Sequence, residues 1–316
     1  MTIRVFLTAL LMMALTACGG NAADSKQALT LGWVVDPCWS QVPVAEDLGY
    51  FAASGVDIEV VPFPTGAAAL EALTGGAVDV ATGGDVPAAA AALKSPNLRI
   101  IADGSRWPEG RFVARRSAGI NSIEDLQGRK VAVPLGSSAH YFATKFLSEA
   151  NVDAELIQTG PAEIVTAIAN GDVDVVAVFQ PPLAKVIAAL GPDAVELQGD
   201  EKYNQHSLYL TNADTLATRE ADLSAFLGAV RQADAPLTER DPAALTAVAR
   251  ATGLDEQLIS GVVDEFQFTT QLGPELPADL ADRARWAQSI GRVPADATIP
   301  DYRTLIVRGP LDGVTQ

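Results

Sequence analysis

The chain has 316 residues and a formal charge of −17, from 22 Lys or Arg against 39 Asp or Glu. A net field of that sign repels nucleic acid and anionic membrane surfaces, so any anion the protein holds must be met by locally aimed N–H groups and particular side chains. Two cysteines and two histidines exclude a disulfide-rich framework and argue against a zinc site.

The first predicted element is an export signal over residues 1–17. Arg4 gives a short positive start, residues 5–13 are apolar, and Leu15-Thr16-Ala17 puts small residues before Cys18; the stretch is too short to span a bilayer. The Leu-x-Ala-Cys ending resembles the lipobox of bacterial lipoproteins, which implies that Cys18 becomes the lipidated first residue. A plain signal peptide cut elsewhere is the alternative, but the polar stretch 19–27 suits the tether (18–27) that an anchor needs. With Cys18 acylated, Cys38 is the one thiol left.

Beyond residue 28 short apolar runs alternate with helical patterns, which predicts an α/β chain of mixed or parallel sheets flanked by helices. Strands are expected at 29–35, 56–61, 78–82, 98–102, 112–115, 130–134, 155–159, 173–179, 195–197 and 207–211. A helix is expected over 138–150, where Ala139, Phe142, Ala143, Phe146, Leu147 and Ala150 form one apolar stripe. From Asn212 onward the pattern reads as almost wholly helical, with Asn212 and Asp241 as N-caps, Pro242 in a first turn and Gly253 as a stop.

An internal repeat organises these elements. Ala72-Leu73-Thr74-Gly75-Gly76-Ala77-Val78-Asp79-Val80 matches Ala167-Ile168-Ala169-Asn170-Gly171-Asp172-Val173-Asp174-Val175 at an offset of 95 residues, and Pro87 matches Pro182 at the same offset. Two copies of one helix–turn–strand–turn–helix unit imply two similar lobes. Ligands in open parallel sheets lie beyond the carboxyl ends of the strands, so Gly83-Gly84-Asp85 and Val178-Phe179-Gln180 are expected on facing walls.

Three motifs carry a family resemblance. Ala45-Glu46-Asp47-Leu48-Gly49-Tyr50-Phe51, Gly83-Gly84-Asp85-Val86-Pro87 and, above all, the run from Asp125 to Tyr141 with Gly136-Ser137-Ser138-Ala139-His140 are similar to the nitrate, sulfonate and taurine binding proteins of ABC importers. The resemblance implies a two-lobed type II periplasmic-binding fold, with lobe I at 28–113 plus 210–316 and lobe II at 114–209. It also implies an exported monomer, not an enzyme, that needs no cofactor and hands a small solute to a permease. Two departures matter: Phe179-Gln180-Pro181-Pro182 replaces the usual single-proline turn, and Asp85 stands where sulfonate binders tend to carry Ser, Asn or Thr. A carboxylate there suits a solute with a cationic group as well as an anionic one, such as taurine. Nitrate and a thiamine pyrimidine precursor are the alternative ligands; a same-fold enzyme and a sensory ligand domain are alternatives of another class.

Residue by residue, Gly136, Ser137 and Ser138 form the expected anion site, at the start of a helix whose free N–H groups and dipole favour negative charge; capping is the ordinary role of such serines. His140 is expected either over the cleft as a donor or solvated. Trp39 and Cys38 are expected as pocket walls, Trp33 as core, and Trp107 either as a cover over the ligand or as an exposed loop aromatic. Asp85 and Glu109 are the acids, and Arg106 and Arg111 the cations, closest to the expected crevice; Phe179 and Gln180 follow the second repeat strand as a contact pair.

Overall fold

The computed structural model describes residues 27–200 and 202–314; Cys18, the signal and most of the tether lie outside them. Among the described residues, eleven strands form two sheets. The first contains β1 (Leu29–Val34), β2 (Ile58–Phe63), β3 (Val80–Gly84), β4 (Leu98–Trp107), β10 (Gln205–Asn212) and β11 (Gln267–Gln271), in the order β11-β4-β10-β3-β1-β2. The second contains β5 (Phe112–Arg115), β6 (Lys130–Val133), β7 (Glu155–Gln158), β8 (Val175–Ala177) and β9 (Ala194–Leu197), in the order β7-β6-β8-β5-β9. β1 runs parallel to β2 and β3, and β6 parallel to β7 and β8, while β10 and β5 run antiparallel to their neighbours.

Central strands such as β3 and β4 are buried almost throughout, as expected of strands covered by helices on both faces. Their apolar signal comes from Val80-Ala81 and Ile100-Ile101-Ala102, while Thr82, Asp103, Ser105 and Arg106 are buried as polar groups. The repeat occupies equivalent places in the two sheets, β3 beside β1 and β8 beside β6. Its helix ends close alike: Ala77 N donates to Ala72 O at 2.8 Å and Asp172 N to Ala167 O at 2.8 Å, each the 6→1 bond of a Schellman turn. Asn212 accepts from Thr215 N, Asp241 from Ala243 N, and Gly253 stops its helix, as the sequence predicts.

Two expectations are corrected. The C-terminal part, expected to be almost wholly helical, also contributes the strand β11, which the expected strands omit; only Phe268 and Thr270 of that strand are buried, so its sequence Gln-Phe-Thr-Thr-Gln carries too little apolar signal to stand out from the helices around it. The chain crosses between sheets at 108–111 and 198–204, so Phe112 and Val113, assigned to lobe I, pair in the second sheet, and Gln205–Tyr209, assigned to lobe II, pair in the first. No helix among the described residues is long and apolar enough to cross a membrane.

Candidate functional site

A cavity of about 310 Å³ lies between the two sheets, at the small end of the range for ligand pockets. Four helices aim their N-termini at it: Gly66–Thr74 and Asp85–Ala92 packed on the first sheet, Ser138–Glu149 and Pro161–Asn170 on the second, and their N-caps Thr65, Gly84, Ser137 and Gly160 all line its wall. The first-turn N–H groups have no intrahelical acceptor. Each helix start is equivalent to roughly half a positive charge, so together they create a local field opposite to that of the chain as a whole.

The two halves meet closely here. A Cβ on Gly84 would stand 2.9 Å from Ser138 Oγ, so a glycine at this N-cap lets one helix start approach the other. Ser137 Oγ donates to Pro134 O at 2.6 Å and accepts from His140 N at 3.4 Å. Its capping role is thus observed, and the helix start it caps faces the cavity.

Of the expected contacts, Gly136, Ser137, Ser138, Trp39 and Phe179 line the cavity. The other expected contacts lie elsewhere. Asp85 is fully buried behind the site, accepting from Val86 N at 2.9 Å, from the Tyr203 hydroxyl, and from Arg283 Nε at 3.1 Å; its charge is neutralised within the protein. His140 supports the Gly136 turn instead, its Nδ1 accepting from Gly136 N at 3.0 Å and its ring packing edge-on against Trp286. Burial and the nearby Arg292 push His140 down to about 4, so it is neutral at pH 7, as an acceptor nitrogen requires.

Trp107 ends β4 and Gln180 follows β8, and the two meet beside the crossing between sheets. Both donate to Glu265 Oε2, at 2.9 and 3.0 Å, while Arg111 Nη2 donates to Oε1 at 2.6 Å. Glu109 pairs with Lys202 there, and Arg106 pairs with Asp103 at 2.7 Å. Cys38 sits behind the wall, its Sγ accepting from Gln205 Nε2 at 3.2 Å. Burial and the Asp36 charge push its thiol well up, which leaves it protonated and a poor nucleophile.

Several lining residues escaped the sequence reading: Asp36, Thr65, Gly160, Gln158, Gln205 and Arg292. The repeat held a signal for two of them, since Thr65 and Gly160 are separated by the same 95 residues. Arg292 comes from a distant loop, and a Cβ on Gly136, at φ +80°, would stand 2.4 Å from its guanidinium. No acid among the described residues pairs with it. Gly136→Ala is expected to cost about 1–2 kcal/mol in unfolding experiments, for the left-handed backbone, and to push Arg292 away from the cavity; an anion bound as tightly as by the wild type would show that Arg292 takes no part.

The family model described as NMT1/THI5 like matches residues 38–264. The chain belongs to that family. Among NMT1/THI5-like relatives, the putative aliphatic sulfonates-binding protein of Escherichia coli (strain K12) is 26% identical over 217 residues, covering 67% of this chain and 68% of the relative. The taurine-binding periplasmic protein of the same organism is 24% identical over 269 residues, 79% of this chain and 82% of its own length. The crystal structure of the periplasmic aliphatic sulphonate binding protein SsuA from Escherichia coli shares the fold with a TM-score of 0.76 at 23% identity, over 90% of this chain and 93% of that one.

Proposed function

We propose that this NMT1/THI5-like chain is an extracytoplasmic solute-binding protein of an ABC importer, and that it takes a small anionic or zwitterionic solute, a sulfonate such as taurine, between its two lobes. One observation carries the reading: four helix N-caps, two from each sheet's helices, converge on one small cavity, an arrangement that favours a compact anion. The names of the two relatives support sulfonate over other anions. Binding rather than catalysis is supported by the names of the two relatives, both binding proteins, and by the buried Cys38 thiol, held protonated. Ligand bound between the lobes favours their closed arrangement, which offers the permease a different surface from the open one.

Titration calorimetry on the mature chain with taurine, alkanesulfonates, nitrate and a thiamine pyrimidine precursor tests this. A sulfonate is expected to bind in the micromolar range or tighter, and no heat from any sulfonate would remove the reading. Ser137→Ala combined with Ser138→Ala is expected to weaken that binding by about 1–3 kcal/mol, the scale of lost hydrogen bonds to charge; unchanged affinity would restrict the serines to capping. Lipidation of Cys18 belongs to the same proposal. Cys18→Ala is expected to move the protein from the membrane to the soluble fraction, and retention in the membrane would count against an anchor there.

A further inference from the structure

The four helix starts explain how the cavity holds an anion, yet part of its wall has the opposite character. Asp36, 3% exposed, and Gln205, 2% exposed, line the same cavity. Asp36 sits just past the carboxyl end of β1, where its Oδ1 accepts from Cys38 N at 2.8 Å. Gln205 opens β10 and uses its Nε2 on Cys38 Sγ at 3.2 Å, so the amide orientation is set by a neighbour behind the wall. Its Oε1 is buried without a partner among the described residues. A buried acceptor without a donor destabilises the state in which it stays unsatisfied, and a carboxylate facing a bound anion is repelled by it. A solute that is only an anion leaves Gln205 Oε1 without a donor and sets its own charge against the Asp36 carboxylate, whose Oδ1 is held by the Cys38 N–H.

We infer that the cavity has two poles, and that Asp36 and Gln205 form the second, receiving an ammonium group at the end of the solute remote from its sulfonate. The inference rests on the reading of the site as a sulfonate cleft and narrows it to short amino-sulfonates. An ammonium carries three donors and no acceptor. One donor meets the Asp36 carboxylate, a second the Gln205 Oε1, while the sulfonate occupies the helix N-termini. The small cavity suits a chain of few atoms between the charges. The acid that selects the cationic end is therefore Asp36, since Asp85 is held by Arg283 behind the site.

Calorimetry on the mature chain at pH 8 separates the possibilities, using taurine and propane-1-sulfonate, in which a methyl group replaces the ammonium. Taurine is expected to bind at least tenfold more tightly. Asp36→Asn, which keeps an oxygen for the Cys38 N–H, and separately Gln205→Met, are each expected to bring the ratio of the two affinities to within threefold. Propane-1-sulfonate bound as tightly as taurine by the wild type, or variants that weaken both ligands equally, would overturn the second pole and leave the sulfonate cleft standing. Heat from neither ligand would overturn both.

Discussion

Arg283→Leu is expected to lower the free energy of unfolding by about 3–5 kcal/mol, the cost of leaving a buried charge without its partner. The Asp85 carboxylate is fully buried, and Arg283 Nε reaches it at 3.1 Å. The same guanidinium lies 4.5 Å from the centre of the Tyr141 ring and donates to the Tyr141 hydroxyl at 3.1 Å. Tyr141 belongs to the helix packed on the second sheet and itself donates to Asp282 at 2.6 Å, so the ion pair also ties the two halves together. Urea denaturation measures the loss. Adding Asp85→Asn to Arg283→Leu removes the orphaned charge and is expected to recover more than half of it. A loss below about 1 kcal/mol for Arg283→Leu, the level of an exposed pair, would show that Asp85 is not held in this way and would return it to the ligand.

The second large effect is a dependence of stability on pH centred on His206. The ring is fully buried between two carboxylates, Nδ1 at 2.5 Å from Asp103 and Nε2 at 3.0 Å from Asp279. Burial alone opposes the charged ring, but the hydrogen bonds to Asp103 and Asp279 outweigh it and push His206 up to about 9. A group whose folded value lies above its unfolded one stabilises the fold fully below the unfolded value, about 6.5, and that contribution fades as pH rises through the folded value. At about 1.4 kcal/mol per unit, the wild type is expected to lose about 3 kcal/mol between pH 6.5 and 9.5 from this group. His206→Gln is expected to lack that slope when the two proteins are compared at each pH. Parallel profiles for the two would show that the His206 charge is not what these carboxylates hold.

The paired lobes were readable because a duplicated helix–turn–strand unit keeps its register over 95 residues, and the Ser137-Ser138 helix start because an amphipathic stripe follows a buried strand. Each signal is local. Asp85 was misread because its neutralising partner, Arg283, is 198 residues away, and no local pattern announces an ion pair of that separation. His140 was ambiguous for a related reason: its position on the helix is periodic, but Trp286, which covers it, comes from the far end of the chain. Asp36 directly follows the expected strand 29–35, and no periodic pattern marks it as part of a site. Gln205 fell outside the expected strand 207–211, because β10 begins earlier with polar residues that are nonetheless buried. Burial of polar side chains between two lobes is a tertiary property, and the lining of the cavity depends on it.

The most direct test of the account is to map backbone amide shifts of the isotopically labelled mature chain while an alkanesulfonate is added. The N–H groups of Gly66, Ala67, Asp85, Ser138 and Ala139 belong to helix starts at the cavity, and the largest changes are expected at those residues in both halves at once. Changes confined to one half, or centred on a surface away from these three helix starts, would contradict a solute gripped between the sheets.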